Sequence, residues 1–144
     1  MASTIVSICA AVVAHLNSSP VQATFSESFT AARVFSPAFD RESLAALQVN
    51  VYAAGETSEP LARSGELHSF TVGVVIRKAV NPDSTSEGDA ALELVDQIQD
   101  SLKFERMSGA GYQSQTNDPI YSLEILEQRR EFLSVILVTY RKGR

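Results

Sequence analysis

The chain has one cysteine, no tryptophan and two histidines in 144 residues, and each shortage removes a class of function. Cys9 by itself forms no internal disulfide and no thiolate cluster for zinc or iron–sulfur. His15 and His68 stand far apart, in neither an HExxH nor a Cys/His spacing, so no metal or cofactor is expected. Cations are in the minority: twelve Lys and Arg against seventeen Asp and Glu leave a net charge of −5. Binding a phosphate backbone draws on clustered cations, so sequence-specific nucleic-acid binding is not expected. The longest apolar runs fall short of the about 20 residues that cross a bilayer as a helix, so no membrane partner is expected either.

What is present is ordinary for a globular protein: 44% apolar and 20% charged residues. The length suits one domain, 1–144, which buries roughly 68–70% of its unfolded surface and needs no staples. Ile5–Leu16 is an apolar run, and Val21-Gln22-Ala23 has the look of a signal cleavage site. No Lys or Arg precedes the run, however, and a secretory signal carries a positive leading region. A first helix is the better reading, with Ser3 as its N-cap and Ile5, Ile8, Cys9, Val12 and Leu16 at helical spacing. Cys9 and His15 then read as a small core residue and a polar group at the helix end. Pro20 stops the helix.

Thr24–Val34 is a strand candidate anchored by Phe25 and Phe29. A helical turn over Asp40–Leu47 leads to alternating Val49, Val51 and Ala53, a strand. Ala54–Glu66, rich in Gly, Pro and Glu, reads as an exposed loop. Leu67–Val80 is a strand with Phe70, Val72, Val74 and Ile76 on one face and Thr71, Gly73, Val75 and Arg77 on the other. Asn81–Gly88 reads as a second polar loop. Both are long for hairpin connections, which run ~2–5 residues, and loops of that kind commonly carry contacts. A helix over Asp89–Glu105 has an apolar stripe of Ala91, Leu94, Val95, Ile98 and Leu102, with Ser86 near its start as a loose capping residue. Gly109–Asn117 reads as flexible, Tyr121–Gln128 as a helical turn. Phe132–Tyr140 is a β-branched run that reads as a strand covered on both faces. The expected fold class is α+β: a mostly antiparallel sheet packed by an N-terminal helix and a second amphipathic helix.

The residues offer little chemistry. There is no nucleophile elbow, no Walker loop and no His pair at i and i+4. Gly109-Ala-Gly111 is no nucleotide fingerprint, because no strand precedes it. Asp96 and Asp100 share a helix face and could in principle move protons or hold a cation, but a solvated helix face is the simpler reading. Arg129-Arg130 is too short for a nucleic-acid patch and flanks the final strand. One pattern recurs: Phe39-Asp40…Leu44 ahead of Val49–Tyr52, and Tyr121…Leu126 ahead of Phe132–Tyr140. Each lays an aromatic and a leucine over a sheet end, which is architecture rather than catalysis.

Charge is unevenly distributed. Residues 81–105 hold Asp83, Glu87, Asp89, Glu93, Asp96, Asp100 and Glu105 against Lys103, a local −6, while the final sixteen residues carry +4. Taken together, these parts resemble a bacteriophage tail terminator or a related tail-completion (neck) protein. The features behind the resemblance are the leading amphipathic helix, the Phe39-Asp40…Leu44 turn with Val49-Asn-Val51, the acidic loop containing Arg63, strand Phe70–Lys78, the acidic helix, and Asp118-Pro-Ile-Tyr121…Leu126 before Phe132–Arg141. It spans nearly the whole chain and includes no diagnostic motif.

The resemblance implies a non-enzymatic virion structural protein of a tail or neck, made in the bacterial host cytoplasm. It implies a homo-oligomeric ring, six subunits being the expected number. That ring caps the head-proximal end of the tail tube and joins it to the head connector, with DNA passing through. No interface residue is carried over from the family. The loop residue Arg63 and the helix acids Glu93, Asp96 and Asp100 are the candidate interface- or channel-facing residues, an acidic wall being one that repels phosphate. Three other readings remain open: a different head–tail connector protein, a small intracellular α+β enzyme or ligand-binding domain, and a secreted domain if the first segment is a signal.

Overall fold

Six consecutive residues, Val72–Arg77, are buried on both faces of one strand, and the other elements are arranged around it. The structure is a computed structural model that describes residues 3–35, 47–60 and 65–143. Along these the order is α1 (Thr4–Asn17), α2 (Ser19–Gln22), β1 (Ala31–Arg33), β2 (Gln48–Pro60), β3 (Glu66–Ala79), α3 (Thr85–Leu102), β4 (Gly111–Thr116), α4 (Leu123–Arg129) and β5 (Glu131–Gly143). The strands form a sheet ordered β1-β2-β3-β5-β4. Only β1 runs parallel to its neighbour, so the fold is α+β with a mostly antiparallel sheet, as the sequence suggests.

Register places the core. Val49 and Val51 of β2 lie beside Ile76 and Val74 of β3, which lie beside Ser134 and Ile136 of β5. With Phe70, Val72, Val138 and Tyr140 these residues make one apolar face, and α1 and α3 close over it. From α1 come Ile8, Cys9, Val12 and Leu16; from α3 come Ala91, Leu94, Val95, Ile98 and Leu102. Both stripes are those expected from helical periodicity. His15 joins the two helices through Nε2, 2.8 Å from the Ser101 carbonyl.

Several boundaries differ from expectation, each for a local reason. Pro20 does not end the helical region; it sits in the first turn of α2, where its missing N–H costs nothing. Thr24–Val34 is strand only over Ala31–Arg33. Ahead of that, Phe25 and Phe29 stack at 5.1 Å, and side-chain amides hold the backbone: Ala31 N–H donates to Asn17 Oδ1 at 2.7 Å, Ser26 N–H to Gln97 Oε1 at 2.7 Å. Residues 54–60 are not loop but the outer half of β2, paired with β3 as far as Pro60 and Glu66, with a bulge between Ala53 and Gly55. Residues 85–88 are the first turn of α3, capped by Ser84 rather than Ser86: its Oγ accepts from Glu87 N–H, while Glu87 Oε2 accepts from Asn81 N–H at 2.6 Å. The stretch expected to be flexible is β4, paired along β5. The Asp40–Leu47 turn falls largely on residues 36–46, which lie outside the described residues.

The opposite sheet face is mixed rather than fully covered. Gly73 sits beneath the Tyr52 ring, so closely that an added Cβ would run into it. Val75, Arg77 and Glu131 are buried, whereas Leu133, Val135 and Leu137 of β5 are only half-buried, contrary to the expectation of a strand covered on both sides. Arg77 Nε donates to Glu131 Oε1 at 2.6 Å in a pair that is 1% and 3% exposed. Removing one partner of a buried ion pair is costly, about 3–5 kcal/mol. Glu131→Ala should therefore lower stability by about that amount in urea unfolding, while Glu59→Ala on exposed β2 should stay within about 0.5 kcal/mol.

Candidate functional site

The candidate residues fall into separate places. Arg63 lies outside the described residues. Glu93, Asp96 and Asp100 project from α3, all exposed, because the apolar stripe turns the other side of that helix to the sheet. Asp100 Oδ1 lies 3.2 Å from Lys103 Nζ, an exposed pair of little energetic weight. The three acids thus form one solvent-facing strip. Among the described residues no group of three or more His, Cys, Asp or Glu side chains could hold a metal ion. No helix among them is long and apolar enough to cross a membrane.

A feature missed at the sequence level is the outer margin of β2. All eight residues from Ala53 to Pro60 are exposed, although they are paired with β3 on one side. On the other side the pairing with β1 ends at Arg33 and Val51, so beyond that point β2 has no strand neighbour among the described residues. The margin carries Glu56, Glu59, Pro60 and the bulge, the devices that keep a free edge from pairing indiscriminately. Toward its outer end it is flanked by His68, which lies opposite Ser58, is buried, and has Nε2 2.9 Å from Glu66 Oε2 and Nδ1 3.4 Å from Glu56 Oε1. The second contact is an ion-pair distance without hydrogen-bond geometry. The His68 ring also stacks on Phe70, centroids 6.0 Å apart. Low hydrophobicity hid this strand: its pairing is made by the backbone, and its side chains have no apolar alternation to reveal it.

A second missed feature is a groove of about 180 Å³ beside the start of α3, walled by Val80, Pro82, Leu92, Tyr121, Leu126 and Phe132. The repeated aromatic–leucine pattern does lay Tyr121 on Phe132, centroids 5.7 Å apart, and that contact forms one wall. Exposed aromatics stand elsewhere: Phe104 is 85% exposed and meets Tyr112 edge-on at 5.5 Å.

Two buried groups resist ionisation. Burial pushes the Tyr140 phenol well above its ordinary value near 10, and Tyr112, Glu105 and Cys9 raise it further. Its hydroxyl has no hydrogen-bond partner among the described residues. Burial also pushes the Cys9 thiol up, against a smaller lowering by Arg33, so Cys9 is no activated nucleophile.

No family model matches the chain, and no curated protein does. Among solved structures it is similar to a sheath/tube terminator of an extracellular contractile injection system, PVC, in the extended state, at 14% identity and a TM-score of 0.47. All of the present chain is covered in that comparison, but only 59% of the other.

The raised Tyr140 and Cys9 values set a pH dependence. The folded state keeps protons that the unfolded chain gives up, so this contribution is complete below the unfolded values and lost as pH rises past them. Stability should fall above about pH 8.5 through the thiol and more steeply above about pH 10 through the phenol. Tyr140→Phe should flatten the alkaline limb in thermal unfolding and cost little at neutral pH, since it removes an unpaired hydroxyl.

Proposed function

We propose that this chain is a structural subunit of a tail-like particle, a terminator that stops growth of a tail tube, and that it catalyses nothing. The observation that carries the reading is the β2 margin: eight exposed residues of ordered strand with a free, guarded edge, a contact surface prepared for a specific neighbour. The order of elements supports the same role, from the leading amphipathic helix to the acidic α3 and the Tyr121…Leu126 turn ahead of β5. Terminator is also the word in the injection-system protein's own description; for the present chain it is a proposal resting on the margin and the sequence order.

In this reading several copies, six in the simplest case, form a ring on the end of a tube, with a head connector on the ring's other side. The acidic strip of Glu93, Asp96 and Asp100 faces or borders the passage, where negative charge keeps DNA phosphates from adhering in transit. Adding the purified chain to polymerising subunits of its tube should stop elongation and leave density at one tube end in electron micrographs. Tubes that grow to the same lengths with and without it would overturn the reading.

The strip makes its own prediction. The wild-type chain should show no measurable DNA binding at physiological salt. Glu93→Lys, Asp96→Lys and Asp100→Lys together should leave the unfolding midpoint near wild type, since all three are exposed, yet produce salt-sensitive DNA retention in a gel shift and slow DNA release from particles. Normal release from particles carrying the triple change would show that the strip is only solvated surface.

A further inference from the structure

The outer half of β2 is a strand with one side of its main chain unused. Beyond the last bond to β1, from Val34 N–H to the Val51 carbonyl at 2.8 Å, Ala53–Pro60 meets β3 on one side and no strand on the other among the described residues. That bond also sets the alternation. Val51 turns its main-chain groups away from β3, so Tyr52 turns towards it and Ala53 away. The bulge sets Ala54 and Gly55 together against Thr71; beyond it Thr57 and Glu59 face β3, while Glu56, Ser58 and Pro60 face outward. Pro60 fits this parity, since the N–H it lacks would point away from the ladder. The open side therefore offers the N–H groups of Ala53, Glu56 and Ser58, with the carbonyls of those residues and of Pro60.

Side chains narrow the choice of partner. Residues 53–60 hold Glu56 and Glu59 and no cation, and all of them are exposed. The two acids stand on opposite faces of the sheet: Glu56 beside Phe70 on the helix side, Glu59 beside Leu67 on the other. Glu59 has no hydrogen bond or ion pair among the described residues, while Glu56 lies 3.4 Å from His68 Nδ1. Like charges directly opposite across two strands destabilise the pair, and opposite charges support it. Two copies of this margin laid edge to edge would bring two acids each and no cation to one seam, which opposes self-pairing. Nor is the chain's own basic segment available, because Arg141 and Lys142 are already paired to Ser69 and His68 of β3. Both observations point to another polypeptide, one that carries cations.

We propose that the β2 margin takes up an added strand from a different protein: an extended segment with Lys or Arg at two positions three residues apart, one opposite Glu56 and the other opposite Glu59. Main-chain bonds to Ala53, Glu56 and Ser58 supply the attachment, and the cations supply the selection. Cross-strand partners stand about 4.5–5.5 Å apart at Cβ, within reach of a lysine or arginine head group. The acids that keep the edge from joining copies of itself are thus the groups that admit a basic strand. The inference rests on the terminator reading for where the partner resides, a neighbouring component of the particle; strand addition itself is a property of this chain.

The test uses the purified full chain and two synthetic peptides of threonine and valine, matched in length to the margin. One carries two lysines three positions apart; the other has glutamates in their place. Amide exchange followed by NMR reads the main chain directly. At about ten times its Kd the lysine peptide should slow exchange about 10-fold at Ala53, Glu56 and Ser58, and leave Thr57 and Glu59, which face β3, unchanged. It should bind about 10-fold more tightly than the glutamate peptide, a preference that shrinks as salt rises. Glu56→Lys together with Glu59→Lys should reverse that preference. Ser58→Pro removes an outward N–H without touching the β3 ladder, so it should keep the wild-type circular dichroism and lose the protection. No protection at millimolar peptide overturns the strand addition, and so does protection that fails to alternate along the strand. Equal binding of the two peptides overturns the basic partner. A chain that stops tube growth yet takes up neither peptide would leave the terminator reading standing and overturn only this inference. A chain that takes up the lysine peptide but leaves tube growth unchanged does the reverse.

Discussion

A guanidinium removed from water must be given an anion, and in this chain that requirement fixes where the last strand begins. Arg77 is 1% exposed near the end of β3, and the carboxylate 2.6 Å away belongs to Glu131, the first residue of β5. The pair sits on the face away from α1 and α3, so it is not part of the apolar core. It acts on register: with Arg77 opposite Leu133 and Ala79 opposite Glu131, the whole β3/β5 ladder follows, out to Leu67 and Gly143. A slip of one residue would turn Phe132, Ile136, Val138 and Tyr140 out of the core and leave two buried charges apart. The turn before it is built to match. Arg130 takes a left-handed cap with φ 53°, ending α4 one residue before the strand, and its carbonyl accepts from Val80 N–H at 3.1 Å.

Elements that bury a stripe were legible in the sequence. Ile8, Cys9, Val12 and Leu16 had to share a helix face, as did Ala91, Leu94, Val95, Ile98 and Leu102, because 3.6-residue periodicity leaves no other way to hide them together. Phe70 to Ile76 alternate with period two for the same reason. Elements held by backbone pairing alone were not legible. Residues 54–60 and Gly111–Thr116 are polar strands whose stability comes from a neighbour, and no local pattern announces that neighbour. The clamps on the segment before β1 were equally hidden: Asn17, Gln22 and Gln97 look like solvated amides until the fold brings Ala31, Phe29 and Ser26 to them.

The candidate surfaces divide along the same line. Glu93, Asp96 and Asp100 could be picked out because an acidic strip is the complement of an apolar stripe on one helix. The groove could not, since Val80, Leu92, Tyr121 and Phe132 belong to four segments of chain that only tertiary structure joins. Nor could the β2 margin, whose character as a free edge depends on β1 being three residues long.

The strained, buried and unpaired groups among the described residues are dispersed. The unpaired Tyr140 hydroxyl lies inside the apolar core, the buried ion pair lies on the opposite sheet face, and the left-handed Phe104 stands in solvent. Surface character is divided too: the acidic side of α3 lies over one sheet face, while the basic end of β5 and the guarded edge of β2 flank the same end of β3. The register fixed by Arg77 and Glu131 sets where each of these features lies along the sheet.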